Sequence, residues 1–218
     1  MSEYRTDEET VELIQRWWRE NGVTLVVTML LVFGGVFGWR YWQQEQTGRV
    51  AAASARYLDW IDAKGVTEQS ADAVAESLRE EFPESPYVAL VALDAARAAV
   101  EAGDEAGARR ELLAVLEAEL PAAFHDIARL RLARLELAAG DAAAALAQLD
   151  AVAGADDLAT ILEVRGDAHR LAGDLAAARA AYDAAIEAAE RSGGSSRVLL
   201  EMKRDDLSVA AVEPEVQQ

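Results

Sequence analysis

Apolar residues are distributed along this chain in two ways. From Val23 to Trp39 the run VTLVVTMLLVFGGVFGW carries no charge, and a helix made from it is apolar on every side. After residue 42, apolar positions instead recur at three- and four-residue intervals among charged ones, the period of helices with one buried face. The first pattern predicts a helix surrounded by lipid. The second predicts an all-α domain built from amphipathic helices.

The uncharged run is 17 residues long, short for a membrane-spanning helix, and its flanks extend it. Trp17 and Trp18 stand before it, and Trp39, Tyr41 and Trp42 close it. Trp and Tyr collect at both membrane–water interfaces. The 21 steps from Trp18 to Trp39 cover about 31 Å at the helical rise. Arg19 and Arg40 sit where long basic side chains reach the headgroups. A cleaved signal peptide fits less well, because RYWQQ follows the run in place of small residues. A buried core helix does not explain the aromatic belts, and an interfacial helix would need a polar face. Gly34 and Gly38 form a small-xxx-small pair that either admits a neighbouring helix or is ordinary glycine usage. Orientation is open on charge alone: Arg5, Arg16 and Arg19 precede the run, and Arg40, Arg49 and Arg56 follow it.

Upstream, DEETVELIQRWWRE at 7–20 puts Val11, Ile14, Trp17 and Trp18 on one helical face, predicting a short amphipathic helix that Asn21-Gly22 would stop. The expected layout is a leader over 1–22, a transmembrane helix over 23–42, a repeat domain over 43–209 and a disordered tail over 210–218.

Within the domain the dipeptide Gly-Asp recurs at Gly103-Asp104, Gly140-Asp141 and Gly173-Asp174, at spacings of 37 and 33 residues. Periods near 34 indicate tetratricopeptide repeats. In the third copy Gly166 falls where two helices must approach closely, and Gly173 ends the first helix in a left-handed turn. Leu175, Ala178, Tyr182 and Ala185 then step at helical intervals. Ala133, Ala145, Leu149 and Val152 keep this register in the second copy, and Ala96, Ala108, Leu112 and Val115 in the first. His169 replaces the usual aromatic, and Arg129 falls at an expected apolar position. Residues 43–63 and 70–82 make an irregular leading pair, broken at Lys64-Gly65, whose first helix can continue from the span. A break at SGGSS (192–196) precedes a helix over 197–207 that caps the stack. The fold class is therefore all-α: one N-terminal transmembrane helix, then a tetratricopeptide-type solenoid with a C-terminal capping helix.

Such a solenoid presents a concave face made by its first helices. Leu90, Leu93, Arg97 and Val100, then Ile127, Leu130, Arg134 and Leu137, either line that face as a groove for a helix or extended peptide or, one residue out of register, belong to the core.

Charge and composition remove other functions. The chain carries −18 formally, and the part after residue 42 has 33 acidic residues against 17 basic, a net of −16. That repels nucleic acid. With no Cys there is no disulfide or thiolate site. His125 and His169 are 44 residues apart and read as packing residues. The pairs Asp156-Asp157 and Asp205-Asp206 read as solvated or capping carboxylates, and SGGSS lacks the Lys of a phosphate loop. Neither a catalytic site nor a cofactor or metal site is expected.

Several stretches, in order, resemble the YfgM family, ancillary subunits of the bacterial SecYEG translocon. They are ENG at 20–22, GWRYW at 38–42, LRLARLEL at 130–137, LD at 149–150, RGDA at 165–168, Gly173-Asp174 with Ala178-Arg179, and MKRDDLS at 202–208. The acidic, Ala-rich domain and the tail depart from the family pattern. The resemblance implies an inner-membrane protein with a cytoplasmic N-terminus and a periplasmic repeat domain, which resolves the orientation. It implies association with the translocon and with PpiD, a membrane-anchored periplasmic chaperone of the prolyl-isomerase type. The implied role is assistance to nascent exported proteins; some members are linked to restraint of an envelope-stress regulator.

Overall fold

The computed structural model describes residues 7–152, 158–192 and 197–210, and among these it contains nine helices and no strand. They are α1 (Asp7–Lys64), α2 (Glu68–Glu81), α3 (Pro86–Glu101), α4 (Glu105–Glu117), α5 (Ala122–Ala138), α6 (Ala142–Asp150), α7 (Ala159–Leu171), α8 (Leu175–Ser192) and α9 (Arg197–Ala210). Two compact units divide within α1 after Ala52. The side chains of Val11 and Ile14, the pair Asp156-Asp157, residues 193–196 and the tail beyond Ala210 lie outside the described residues.

In the first unit, α1 is the one helix among the described residues long and apolar enough to cross a membrane. Its apolar side chains are exposed around the helix, Leu30, Leu31 and Phe37 among them, which is the pattern of a helix solvated by lipid and not of a core helix. The helix stop expected at Asn21-Gly22 does not occur. Asn21 donates its side-chain amide to the Trp17 carbonyl at 3.2 Å, one turn back, so the group that could have broken the helix is satisfied within it. Gly22 lies under the Trp18 indole, where an added Cβ would come within 3.2 Å of the ring. The leader and the span are therefore one helix.

The second unit is a succession of helix pairs in which each helix packs on the next, while α3 also meets α5 and α5 meets α7. First helices thus share one side of the unit. The Gly-Asp dipeptides make the junctions. Each glycine has positive φ (76° at Gly103, 83° at Gly140, 79° at Gly173), a conformation that a Cβ penalises. The following aspartate N–H closes the finished helix by bonding five residues back, Asp104 to Ala99, Asp141 to Glu136 and Asp174 to His169, at 2.8 to 3.0 Å; this is a Schellman closure. The same aspartates start the next helix, accepting from Gly107, Ala144 and Ala177 N–H at 2.8 to 3.0 Å, as N-caps do. Two residues end one helix and begin another.

Packing follows the register read from the sequence. Ala96, Ala108, Leu112 and Val115 are buried in one cluster or beside it, Ala133, Ala145, Leu149 and Val152 in a second, and Ala178, Tyr182 and Ala185 in the third unit. Seven residues before each junction glycine stand Ala96, Ala133 and Gly166. In the first two units the partner helix supplies Leu112 or Leu149, and in the third it supplies Tyr182. A Cβ on Gly166 would lie 2.4 Å from the Tyr182 ring, so the larger partner requires the smaller residue. The irregular leading pair also forms: Ala53 and Trp60 of α1 pack with Ala71, Ala75 and Leu78 of α2 and with Val88 and Val91 of α3. At the other end α9 covers α8, Leu200 packing on Ala185, Ile186, Ala188 and Ala189, and Leu207 on Ala178 and Tyr182.

Candidate partner-binding face

The predicted groove residues straddle the boundary between core and surface. Leu90, Val100 and Ile127 are 37%, 50% and 40% exposed, and Arg97 and Arg134 are also exposed. Leu93 is not on the face: it is 5% exposed and packs with Ala89, Ala92, Leu112 and Leu132. Leu130 and Leu137 are half-buried against the second cluster. On α5 the predicted Arg134 does reach the open face, joined there by Arg131, Leu135 and Ala138, which were not predicted, while Leu130 and Leu137 turn to the second cluster.

Between α3 and α5 lies a pocket of about 300 Å³, floored by Ala96, Val100, Leu112, Leu135 and Ala138 and bordered by Arg97, Arg131 and Arg134. Arg97 is neutralised on its own helix by Asp94 at 3.1 Å and Glu101 at 3.4 Å. Arg131 donates to the Leu93 carbonyl at 2.7 Å. Burial, then the nearby charges of Arg134 and Arg97, hold the Arg131 guanidinium below the usual arginine range. Among the described residues neither Arg131 nor Arg134 forms an ion pair with a carboxylate.

Elsewhere in this unit cations are neutralised across helices. Arg109 on α4 grips the buried Glu136 on α5 with both terminal nitrogens. Arg79 on α2 meets Glu111 on α4 at 2.8 Å. Lys64 joins Asp94, lying 4.8 Å from the centre of the Trp60 ring. Although burial opposes it, hydrogen bonds from Lys64 and Arg97 hold the Asp94 carboxyl below its ordinary range. Arg129, which falls at an expected apolar position, is half-buried and pairs with Asp126 at 3.7 Å.

A polar nest where α7, α8 and α9 meet was not foreseen. Lys203 Nζ donates to Glu163 at 2.7 Å and to both Asp167 oxygens at 2.8 and 3.0 Å. Tyr182 donates its hydroxyl to Asp167 at 2.7 Å. Against the effect of burial, the bonds from Asp167 and Glu163 raise the Lys203 ammonium above its ordinary value. The one sequence signal was Tyr182 itself, whose hydroxyl needs a partner when buried among alanines. Of the two histidines, His125 lies 3.1 Å from the Ala118 carbonyl oxygen and His169 is half-buried on α7. No group of three or more potential metal ligands occurs among the described residues.

The aromatic residues bracketing the apolar run are on the surface of α1, with Trp17, Trp18, Trp39, Tyr41 and Trp42 each at least half exposed. The Trp39 and Trp42 rings lie with centroids 5.3 Å apart, tilted at 42° to each other.

Residues 15–209 match the tetratricopeptide repeat-like domain family. A Haemophilus influenzae protein named as an ancillary SecYEG translocon subunit is 31% identical over 202 residues, covering 92% of this chain and 97% of that protein. An Escherichia coli protein of the same name is 30% identical over 96% of this chain and its own whole length. The chain belongs to the YfgM family. A third relative so named, from Aggregatibacter actinomycetemcomitans, is 28% identical over 92% of this chain and 97% of its own. No solved structure matches. Family membership and the coordinates agree on a tetratricopeptide-like domain behind one long apolar helix.

Proposed function

We propose that the chain is a non-enzymatic ancillary subunit of the SecYEG translocon, held in the bacterial inner membrane by α1 with its repeat domain in the periplasm. The face shared by α3 and α5 docks a periplasmic chaperone of the PpiD type, and the pair assists exported proteins as they emerge. Anchoring keeps the domain at high effective concentration beside the channel. The relatives' shared name supports the channel association, and the resemblance supports orientation and chaperone. The observation that carries the docking role is the α3/α5 pocket, an apolar depression with cationic borders on an otherwise acidic protein.

The test is a mild-detergent purification of the full chain from native membranes, with a photo-crosslinking residue at Ile127 on the face or at Glu187 on α8. Recovery of channel subunits, with a periplasmic chaperone crosslinked from Ile127 and not from Glu187, is the expected result. Recovery of other envelope proteins without channel subunits overturns the secretion role. Channel recovery with equal crosslinking from both positions overturns the assignment of the face.

A further inference from the structure

Three arginines around one apolar pocket are a costly arrangement in a protein that neutralises most of its other cations. Arg134 and Arg97 repel the Arg131 guanidinium more than Asp94 attracts it, and among the described residues only Arg97 of the three forms an ion pair with a carboxylate. The repeat domain over 43–209 holds 31 acidic residues, so the absence of a carboxylate beside Arg131 and Arg134 does not reflect a shortage of partners. The floor offers no polar group: Ala96, Val100, Leu112, Leu135 and Ala138 are all apolar. A volume of about 300 Å³ suits one or two side chains and is too small for a lipid acyl chain.

We propose that this pocket recognises a peptide segment in which a medium-sized apolar side chain stands beside a carboxylate, the apolar group entering between Val100 and Leu135 and the carboxylate bridging Arg131 and Arg134. Charge complementarity chooses this occupant. A purely apolar segment would leave the guanidiniums unpaired, and a simple anion would leave the floor wet. Guanidinium geometry favours bidentate contact with a carboxylate, and each such bond to a charged group counts for more than a neutral one. The inference deepens the reading of this face as a docking surface and rests on it. It also predicts that the ligand relieves like-charge repulsion and so raises thermal stability.

The experiment is a selection of random octapeptides on the full chain in nanodiscs, repeated on the Arg131→Gln/Arg134→Gln chain and on Arg134→Gln alone. The second variant matters because Arg131 also bonds the Leu93 carbonyl, whereas Arg134 is exposed. Expected is enrichment of Asp or Glu adjacent to Leu, Ile, Val or Phe. Binding of the recovered peptides should fall roughly tenfold on Arg134→Gln, the size of one charge-assisted bond. Enrichment that survives both variants overturns the proposal. So does recovery of apolar peptides without acid, of acidic peptides without an apolar neighbour, or equal protection by acetate alone. Channel co-purification is read on the same nanodisc preparation before selection. Its loss with peptide enrichment intact sinks the translocon role and leaves the pocket chemistry standing; the reverse result sinks only the pocket chemistry.

Discussion

The α7–α9 end of the repeat domain and the α3/α5 face both gather charge beside an apolar core, and they treat it in opposite ways. At the end, one ammonium meets two carboxylates at 2.7 to 3.0 Å and a phenol donates to one of them at 2.7 Å, so every participant is answered. On the face, three guanidiniums border an apolar floor, and among the described residues Arg131 and Arg134 form no ion pair with a carboxylate. Charges paired within the fold belong to it, because removing one member leaves the others stranded. Arg131 is tied to the fold only by the Leu93 carbonyl, and the exposed Arg134 is the charge that the proposed ligand would answer. The two regions also differ in volume. Tyr182 is seated against Gly166 with no space left, while the equivalent alanine on α3, Ala96, lies beside an open depression.

The sharpest test of that contrast is Gly166→Ala. Ordinary helix propensity favours the change by about 1 kcal/mol, but the new methyl meets the Tyr182 ring at 2.4 Å. Denaturant unfolding of the full chain in detergent should show a net loss of about 1–3 kcal/mol. Adding Tyr182→Leu, which recreates the Ala–Leu pairing of the other two units, should recover most of it. Failure of the double variant to recover would show that the units are not equivalent at this crossing.

Next in size is Lys203→Met, which strands Glu163, leaves Asp167 with the Tyr182 hydroxyl and should cost about 1–3 kcal/mol. Its pH dependence gives a separate check. Folding raises the Lys203 pKa above its reference of 10.5. Its stabilisation is therefore complete below the reference value and is lost as pH rises through the higher folded value. The stability gap between the parent and Lys203→Met should be wide at pH 8 and should narrow above pH 10.5. A gap independent of pH would assign the loss to packing of the lysine stem.

At the other extreme, Arg134→Gln should change stability by no more than about 0.5 kcal/mol in either direction, and any change should lean towards stabilisation as repulsion on Arg131 falls. A large loss of stability would mean that Arg134 serves the fold, and the distinction between the two regions would fail.

The parts of this architecture legible in the sequence are those with a local cause. Gly-Asp marked the junctions because one residue must tolerate positive φ, and Leu112, Leu149 and Tyr182 were found by counting from those marks. The apolar run and its aromatic flanks were equally plain. Asn21-Gly22 misled because stop signals describe a helix end in water, whereas here the asparagine side chain is satisfied one turn back and the indole of Trp18 fills the space over the glycine. On α5 the pocket takes in Arg131, Leu135 and Ala138 beside the predicted Arg134, while Leu130 and Leu137 turn to the core, because leucines and arginines alternate through LRLARLEL and neighbouring stripes look alike until the α3 contact chooses between them. Interhelical pairs such as Arg109–Glu136 and the Lys203 nest were invisible, since charges lie at most surface positions and nothing local says which will meet.

The position of α9 bears on what the third repeat shows to its surroundings. The apolar side of α8 and the ring of Tyr182 are covered by Leu200 and Leu207, and Asp167 receives Lys203 from the same helix. All three come from one 14-residue helix, so α9 works as a single seal. Lifted off, it would bare an alanine-rich apolar strip and leave Glu163 without its ammonium partner, the kind of surface that proteases and holding chaperones survey. The third repeat is thus closed from outside, and its concealment depends on that one helix staying down.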